Sequence, residues 1–225
     1  MGTEETLEEL KPNYRKTFDN WHRQRMADLD LKDGDIIGFS GSHWLSDCIN
    51  LATYGIPRYS LSHVGIIARK NKRSKWLVFE ANEDVPWPCA ITHRKHDGVQ
   101  AHSLELLLER YPGKMWLYRL NKEYLHKYIG WQGAFGISLY HSLVNELGTP
   151  YDWMGAKRAG GFIHSAIQAL FHGQDTSSLF CSELIAMTLN EYGILDTNNV
   201  SKWPPNCLMR HLVRKRAYDK AVRLK

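Results

Sequence analysis

Residues Ser62–Asn82 read "SHVGIIARKNKRSKWLVFEAN". Two runs rich in β-branched and aromatic residues, "SHVGIIARK" and "KWLVFEAN", flank the polar "NKRS", which is the pattern of a β-hairpin. Pairing Lys70 with Lys75 across that loop sets the register. His63 then stands opposite Asn82, Gly65 opposite Glu80 and Ile67 opposite Val78. Side chains alternate between the faces of a strand. One face therefore carries Val64, Ile66 and Ala68 against Ala81, Phe79 and Leu77, and is wholly apolar. The other becomes polar toward one end, where His63, Glu80 and Asn82 gather. His63 and Glu80 are diagonal neighbours, about 7 Å apart at the backbone, within reach of a glutamate side chain. Gly65 leaves room for that side chain to lean toward the imidazole. A histidine backed by a carboxylate suits an oriented general base, and equally a surface pair at a sheet edge. A slip of one residue would move Glu80 to the other face.

Working outward, "LKDGDIIGFSG" reads as a turn at Asp33-Gly34 and a short strand. "SHWLSDCINLATYG" has helical spacing and stops at Gly55. "VPWPCAITHRKHDG" is a loop, "VQAHSLELLLERYPG" the end of a strand and a short helix, and "KMWLYRL" another strand. "NKEYLHKYIGWQGAFGISLYHSLVNELG" is a long helical stretch interrupted by glycines. "WPPN" reads as loop before a basic tail. Strands come first and helices mostly later, which argues for α+β with a small antiparallel sheet. Residues 1–30 form a polar helical leader ahead of the main domain, 31–225.

The second stretch that carries chemistry is "TSSLFCSELIAMTLNEYG", where small polar residues lead into a helix that ends near Gly193. Leu184, Ile185 and Leu189, with Met187 or Tyr192, give it an apolar stripe. Cys181 is expected in its first turn. There the free N–H groups and the helix dipole stabilise an anion, and the thiolate is the nucleophilic form of cysteine. Cys181 packed in the core as a small apolar residue is the alternative.

Composition narrows the classes. The chain has 225 residues, 43% of them apolar, with eight tryptophans, as a folded protein should. No run approaches the roughly 18 apolar residues of a membrane-crossing helix. The acidic start "MGTEETLEELKPNYRK" lacks a secretory pattern, although Gly2 after Met1 is a partial myristoylation start. Four scattered cysteines, Cys48, Cys89, Cys181 and Cys207, make no disulfide framework, so a cytoplasmic or otherwise reducing compartment is expected. The net charge of +5 is concentrated in "RHLVRKRAYDKAVRLK". That tail is expected to be a solvated helix end, with peripheral contact to an anionic membrane as the further option. Aromatic residues are not interleaved with a basic stripe, so no nucleic-acid partner is expected. No phosphate-binding glycine loop or dinucleotide fingerprint appears, so no cofactor is expected. Cys89, His93 and His96 have zinc-like spacing but no fourth ligand, so no metal is assigned. His43 receives no role, and Trp87 is expected to pack its loop down.

Together, "GDIIGFSG", "SHVGIIA", "FEAN", "LGTPYDW" and "FCSELI", with a weaker match in "WPPNCL", resemble the circularly permuted branch of the NlpC-type papain-like superfamily. The YiiX-like group is the nearest flavour, and lecithin–retinol acyltransferases are more distant. In this branch the histidine strand precedes the cysteine helix, as here. The resemblance implies a permuted papain-like fold with a small antiparallel sheet or half-barrel against the nucleophile helix, and an insertion at about 153–176. It implies Cys181 as nucleophile, His63 as general base and Glu80 as the residue orienting it. Tyr151, in "GTPYDW", is implied as an aid to the oxyanion hole, or else packs after its Gly-Thr-Pro turn. The implied activity is a thiol hydrolase, a cysteine peptidase or amidase working through an acyl-enzyme on a peptide, amide or acyl substrate. Thioesterase or acyltransferase chemistry on lipids would use the same site, and an inactive peptide- or lipid-binding module is the remaining alternative. Many relatives carry a secretion or lipid-attachment signal. None is read here, which speaks against a cell-wall substrate.

Overall fold

A computed structural model describes residues 28–41, 61–82, 86–129, 132–149, 177–200 and 203–225. The chain divides into two compact units, Met1–Leu31 and Lys32–Lys225, and the sheet and the candidate site lie in the second. The helix expected across "SHWLSDCINLATYG", the insertion at 153–176 and nearly all of the leader fall outside the described residues.

The second unit is α+β. Its described strands are β1 (Ile36–Ser40), β2 (His63–Ala68), β3 (Leu77–Asn82), β4 (Gly98–Ser103), β5 (Lys114–Tyr118) and β6 (Val222–Arg223). They form one six-stranded sheet in the order β4-β3-β2-β1-β5-β6, and every pairing is antiparallel. The described helices are α1 (Leu104–Arg110), α2 (Lys122–Ile129), α3 (Gln132–Asn145), α4 (Ser177–Glu191) and α5 (Pro205–Arg214).

The hairpin adopts the register expected from its loop: Ile66 pairs with Phe79, Ile67 with Val78 and Ala68 with Leu77. Its apolar face joins a core with Val99 and Ala101 of β4 and with Cys181, Leu184, Ile185 and Leu189 of α4. The opposite face is buried as well, through Ile37, Phe39, Ile67, Val78, Met115 and Leu117. A sheet covered on both faces explains why β1 and β2 read as continuous apolar runs with no clear alternation. Buried among those apolar side chains on the second face are three polar ones, Glu80, Gln100 and His102.

Two devices hold the ends of the central strands. Gly34 takes φ +91° in the turn before β1, and a Cβ there would lie 2.8 Å from the Leu120 side chain. Asp35, fully buried, accepts from Leu120 N at 2.8 Å and Lys32 N at 2.9 Å. At the start of β2, Asn206 of α5 reads the backbone of Leu61 from both sides. Leu61 N donates to Asn206 Oδ1 at 2.8 Å, and Asn206 Nδ2 donates to Leu61 O at 3.1 Å.

Three local expectations are corrected. "WPPN" is not all loop: Pro205 opens α5, because a proline at the first helical position gives up no needed N–H and already has a helical φ. Within the tail, Val222–Arg223 pairs with β5 as a sixth strand, too short to show a period. Met187 is 39% exposed rather than part of the buried stripe of α4, since it lies about 200° around the helix from Ile185 and Leu189.

Candidate active site

β2 and β3 bring two of the expected residues together. Glu80 sits opposite Gly65 in the pairing, and a Cβ on Gly65 would come within 3.4 Å of Glu80 Cβ and 2.5 Å of Val78 Cγ1. With no such atom there, the Glu80 side chain leans along the face to His63. Their Nε2 and Oε2 atoms are 2.6 Å apart. The His63 side chain is 13% exposed and Glu80 is buried. The Phe39 ring packs on the imidazole at 5.2 Å between centroids, tilted by 47°, and the Tyr111 ring closes on Phe39 edge-on at 5.0 Å. Ahead of His63, Ser62 Oγ donates to Phe39 O and accepts from Gly41 N, both at 3.3 Å, which fixes the chain entering β2.

Cys181 of α4 reaches the same imidazole and hydrogen-bonds to it. Its thiol is completely buried. Burial pulls the His63 pKa down. Cys181 and then the Glu80 carboxylate more than offset that and raise it to about 10. Burial likewise pushes the Glu80 pKa up, but hydrogen bonds from His102 and His63 overcome it and bring it down to about 2. The buried Glu80 carboxylate thus faces, at each oxygen, an imidazole whose pKa is raised. That is the condition under which buried charge is tolerable.

The helix does not begin where the sequence suggested. Cys181 is the fifth residue of α4 as described, beyond the first turn. In an α-helix starting at Ser177 its amide bonds to the carbonyl four residues earlier, and the free N–H groups lie one turn upstream. The run "TSSLF" reads as loop because serine favours turns. Serine is equally at home in the first turn of a helix, where its hydroxyl can satisfy free N–H groups.

Sequence reading missed His102. It lies on β4, paired with Val78 and therefore diagonal to Glu80. Its Nδ1 is 2.8 Å from Glu80 Oε1, and it is fully buried. Burial lowers its pKa, but the bond and charge of Glu80 prevail and raise it. One carboxylate thus holds two imidazoles, one per oxygen. The signal was present as an inward histidine two residues after Gln100, but it becomes legible only once β4 is paired with β3.

The remaining candidates separate. Tyr151 and His43 lie outside the described residues. Cys89 is buried, and its Sγ accepts from Ala101 N at 3.4 Å. Burial raises its pKa, and donors at Thr92, Ile91 and Ala101 outweigh that, bringing it to about 7. His93 is exposed, and the His96 ring is engaged by Thr92 Oγ1 and Asp97 O. Among the described residues no group of three His, Cys, Asp or Glu side chains could hold a metal ion. The Trp87 ring meets His102 edge-on at 6.2 Å.

No family model matches the chain, and no curated protein matches it. Among solved structures it is similar to the metalloprotein YiiX of Escherichia coli O157:H7, a DUF1105 protein. The identity is 21% and the TM-score 0.43, over 72% of this chain and 66% of that one, just under two thirds of its length.

Proposed function

We propose that the chain is a cysteine hydrolase of permuted papain-like design, cleaving an amide or peptide-type acyl bond through Cys181, His63 and Glu80. The observation that carries this reading is His63 held between Glu80 Oε2, at 2.6 Å, and the Cys181 side chain. Taking the Cys181 proton turns His63 into an imidazolium, which its raised pKa favours, and leaves the sulfur as the nucleophile. Cys181 Sγ attacks the carbonyl carbon, and a C–S bond forms as the bond to the leaving group breaks. His63 delivers its proton to the departing nitrogen. Water, losing a proton to His63, then attacks the thioester and releases the acid. Glu80 fixes the ring so that Nε2 faces the carboxylate and Nδ1 is left for sulfur and substrate.

Because the Cys181 amide is committed within α4, the oxyanion is stabilised by N–H groups other than its own, with Tyr151 as the proposed hydroxyl donor. Cys181 is closed to solvent, so substrate entry requires neighbouring residues to part. The test is acylation by a small activated ester, p-nitrophenyl acetate, followed by peptide mass mapping. The expected result is an acetyl group on Cys181 that is absent in Cys181→Ser and forms about 100-fold or more slowly in His63→Ala. Acetylation of Cys89 or Cys207 at an equal rate, or a His63→Ala protein acetylated as fast as the parent, would overturn the reading.

A further inference from the structure

The segment Arg210–Lys225 holds seven Lys and Arg residues, and the fold uses them unequally. Lys215 Nζ donates to Ile194 O at 3.2 Å, Arg223 Nε to Lys225 O at 3.0 Å, and Lys225 Nζ to Leu108 O at 3.0 Å and Tyr111 O at 2.6 Å. These three charges cap backbone carbonyls. Arg210, Arg214 and Lys220 hold no partner among the described residues, and all three line one cavity of about 340 Å³. That volume is in the range of small-ligand sites.

None of the described residues lining the cavity is acidic. Its other walls are largely apolar, with Leu61, Tyr118 and Val213 among them. Arg210 and Arg214 are one turn apart on α5, where like charges repel. Both walls are anchored. Asn206 clamps α5 to the Leu61 backbone. On the other side, buried Tyr218 donates to Gly34 O at 2.8 Å, and Val222 pairs with Leu117. The three cations therefore line one cavity from anchored elements, with no acidic neighbour among the described lining residues, beside apolar surface.

We propose that this cavity binds a phosphate group carried on an apolar body, either a soluble phosphomonoester or the headgroup of a phosphatidic-acid-type lipid. Two guanidinium forks and an ammonium suit a dianion with several acceptor oxygens, which offsets two of the three charges where a carboxylate would offset one. The apolar wall receives the chain or ring next to the phosphate. The cavity is separate from the chemistry assigned to Cys181. Among the described residues that line it, Leu61 lies nearest in sequence to that site, two residues ahead of His63.

The test titrates the full chain with hexyl phosphate, with inorganic phosphate, and with phosphatidylcholine vesicles with and without phosphatidic acid. Calorimetry reads the soluble ligands and vesicle sedimentation reads the lipid. Arg210→Gln/Arg214→Gln and Lys220→Gln are compared with Lys72→Gln/Arg73→Gln, which removes two exposed charges from the β2–β3 turn. The expected result is saturable one-to-one binding, weakened at least tenfold by the cavity variants and unchanged by the turn variant. Hexyl phosphate should bind more tightly than inorganic phosphate. Vesicle binding that needs phosphatidic acid and fails in the cavity variants assigns the ligand to lipid, and hexyl phosphate binding alone assigns it to a soluble ester. Absence of saturable binding, or equal weakening by the turn variant, overturns the site. Inorganic phosphate binding as tightly as hexyl phosphate overturns the apolar half of the proposal.

Discussion

Glu80 is a single buried carboxylate with two imidazole partners, and its place depends on both. Oε1 meets His102 at 2.8 Å and Oε2 meets His63 at 2.6 Å. Removing His102 leaves Oε1 without its donor in a place water does not reach. Leaving a buried acceptor unpaired costs about 1–3 kcal/mol, more when it is charged. His102→Ala should therefore lower unfolding free energy by roughly that amount in urea. It should also slow acylation of Cys181, because a carboxylate freed on one side no longer fixes the His63 ring. His102→Asn places an amide nitrogen near the lost Nδ1 and should recover a good part of both. A merely structural role for His102 would leave the acylation pH profile of His102→Ala unchanged, and that outcome would refute the coupling. At this scale sequence pattern went far with His63 and Glu80, because one short loop ties them together. It did not reach His102, because the fifteen-residue connection between β3 and β4 is too long to fix a register.

At the scale of elements, the β2–β3 hairpin shows why a register can be read at all. The polar "NKRS" admits few closures, and only one of them buries Val64, Ile66 and Ala68 together with Leu77, Phe79 and Ala81. The start of α4 and the whole of α5 lacked such a constraint. Serine and proline signal loop and helix start alike, and what decides between them is packing against the sheet, which local sequence does not contain. Gly65 is the point where hairpin and site meet. A methyl group there would stand 2.5 Å from Val78 Cγ1, closer than carbon atoms approach. Gly65→Ala should cost about 1–3 kcal/mol in urea unfolding, the usual range for overpacking. The neighbour that must yield is a short branched side chain, so adding Val78→Ala should restore part of the loss despite its own cavity cost. If the double variant is as unstable as the sum of the two singles, the strain lies elsewhere.

For the whole molecule, Glu80, His63 and Asp35 make three of the contributions by which stability follows pH. Glu80 falls from 4.5 to about 2 on folding, so its contribution is complete above pH 4.5 and is lost as pH drops toward 2. His63 rises from 6.5 to about 10, so its contribution is complete below pH 6.5 and is lost as pH climbs through 10. Asp35 runs opposite to Glu80. Burial raises it from 3.8 to about 7 against the bonds from Leu120 and Lys32, so the folded state is favoured below pH 3.8 and that advantage is gone above 7. Glu80 and Asp35 oppose each other at the acid end, and His63 and Asp35 both weaken the fold as pH rises. These three contributions together peak in the mildly acidic range and decline through neutrality toward pH 10, while Cys89, lowered from 9.0 to about 7, works against the decline between those two values. Urea unfolding at a series of pH values checks this, and two variants divide the curve. Asp35→Asn should flatten the stretch between pH 3.8 and 7 and leave the alkaline limb alone. Cys181→Ala removes the largest of the influences that raise His63, so the alkaline limb should move to lower pH. An alkaline limb that stays in place in Cys181→Ala would mean that Cys181 does not hold the proton on His63. The buried row from Cys181 to His102 would then have to be explained by packing alone.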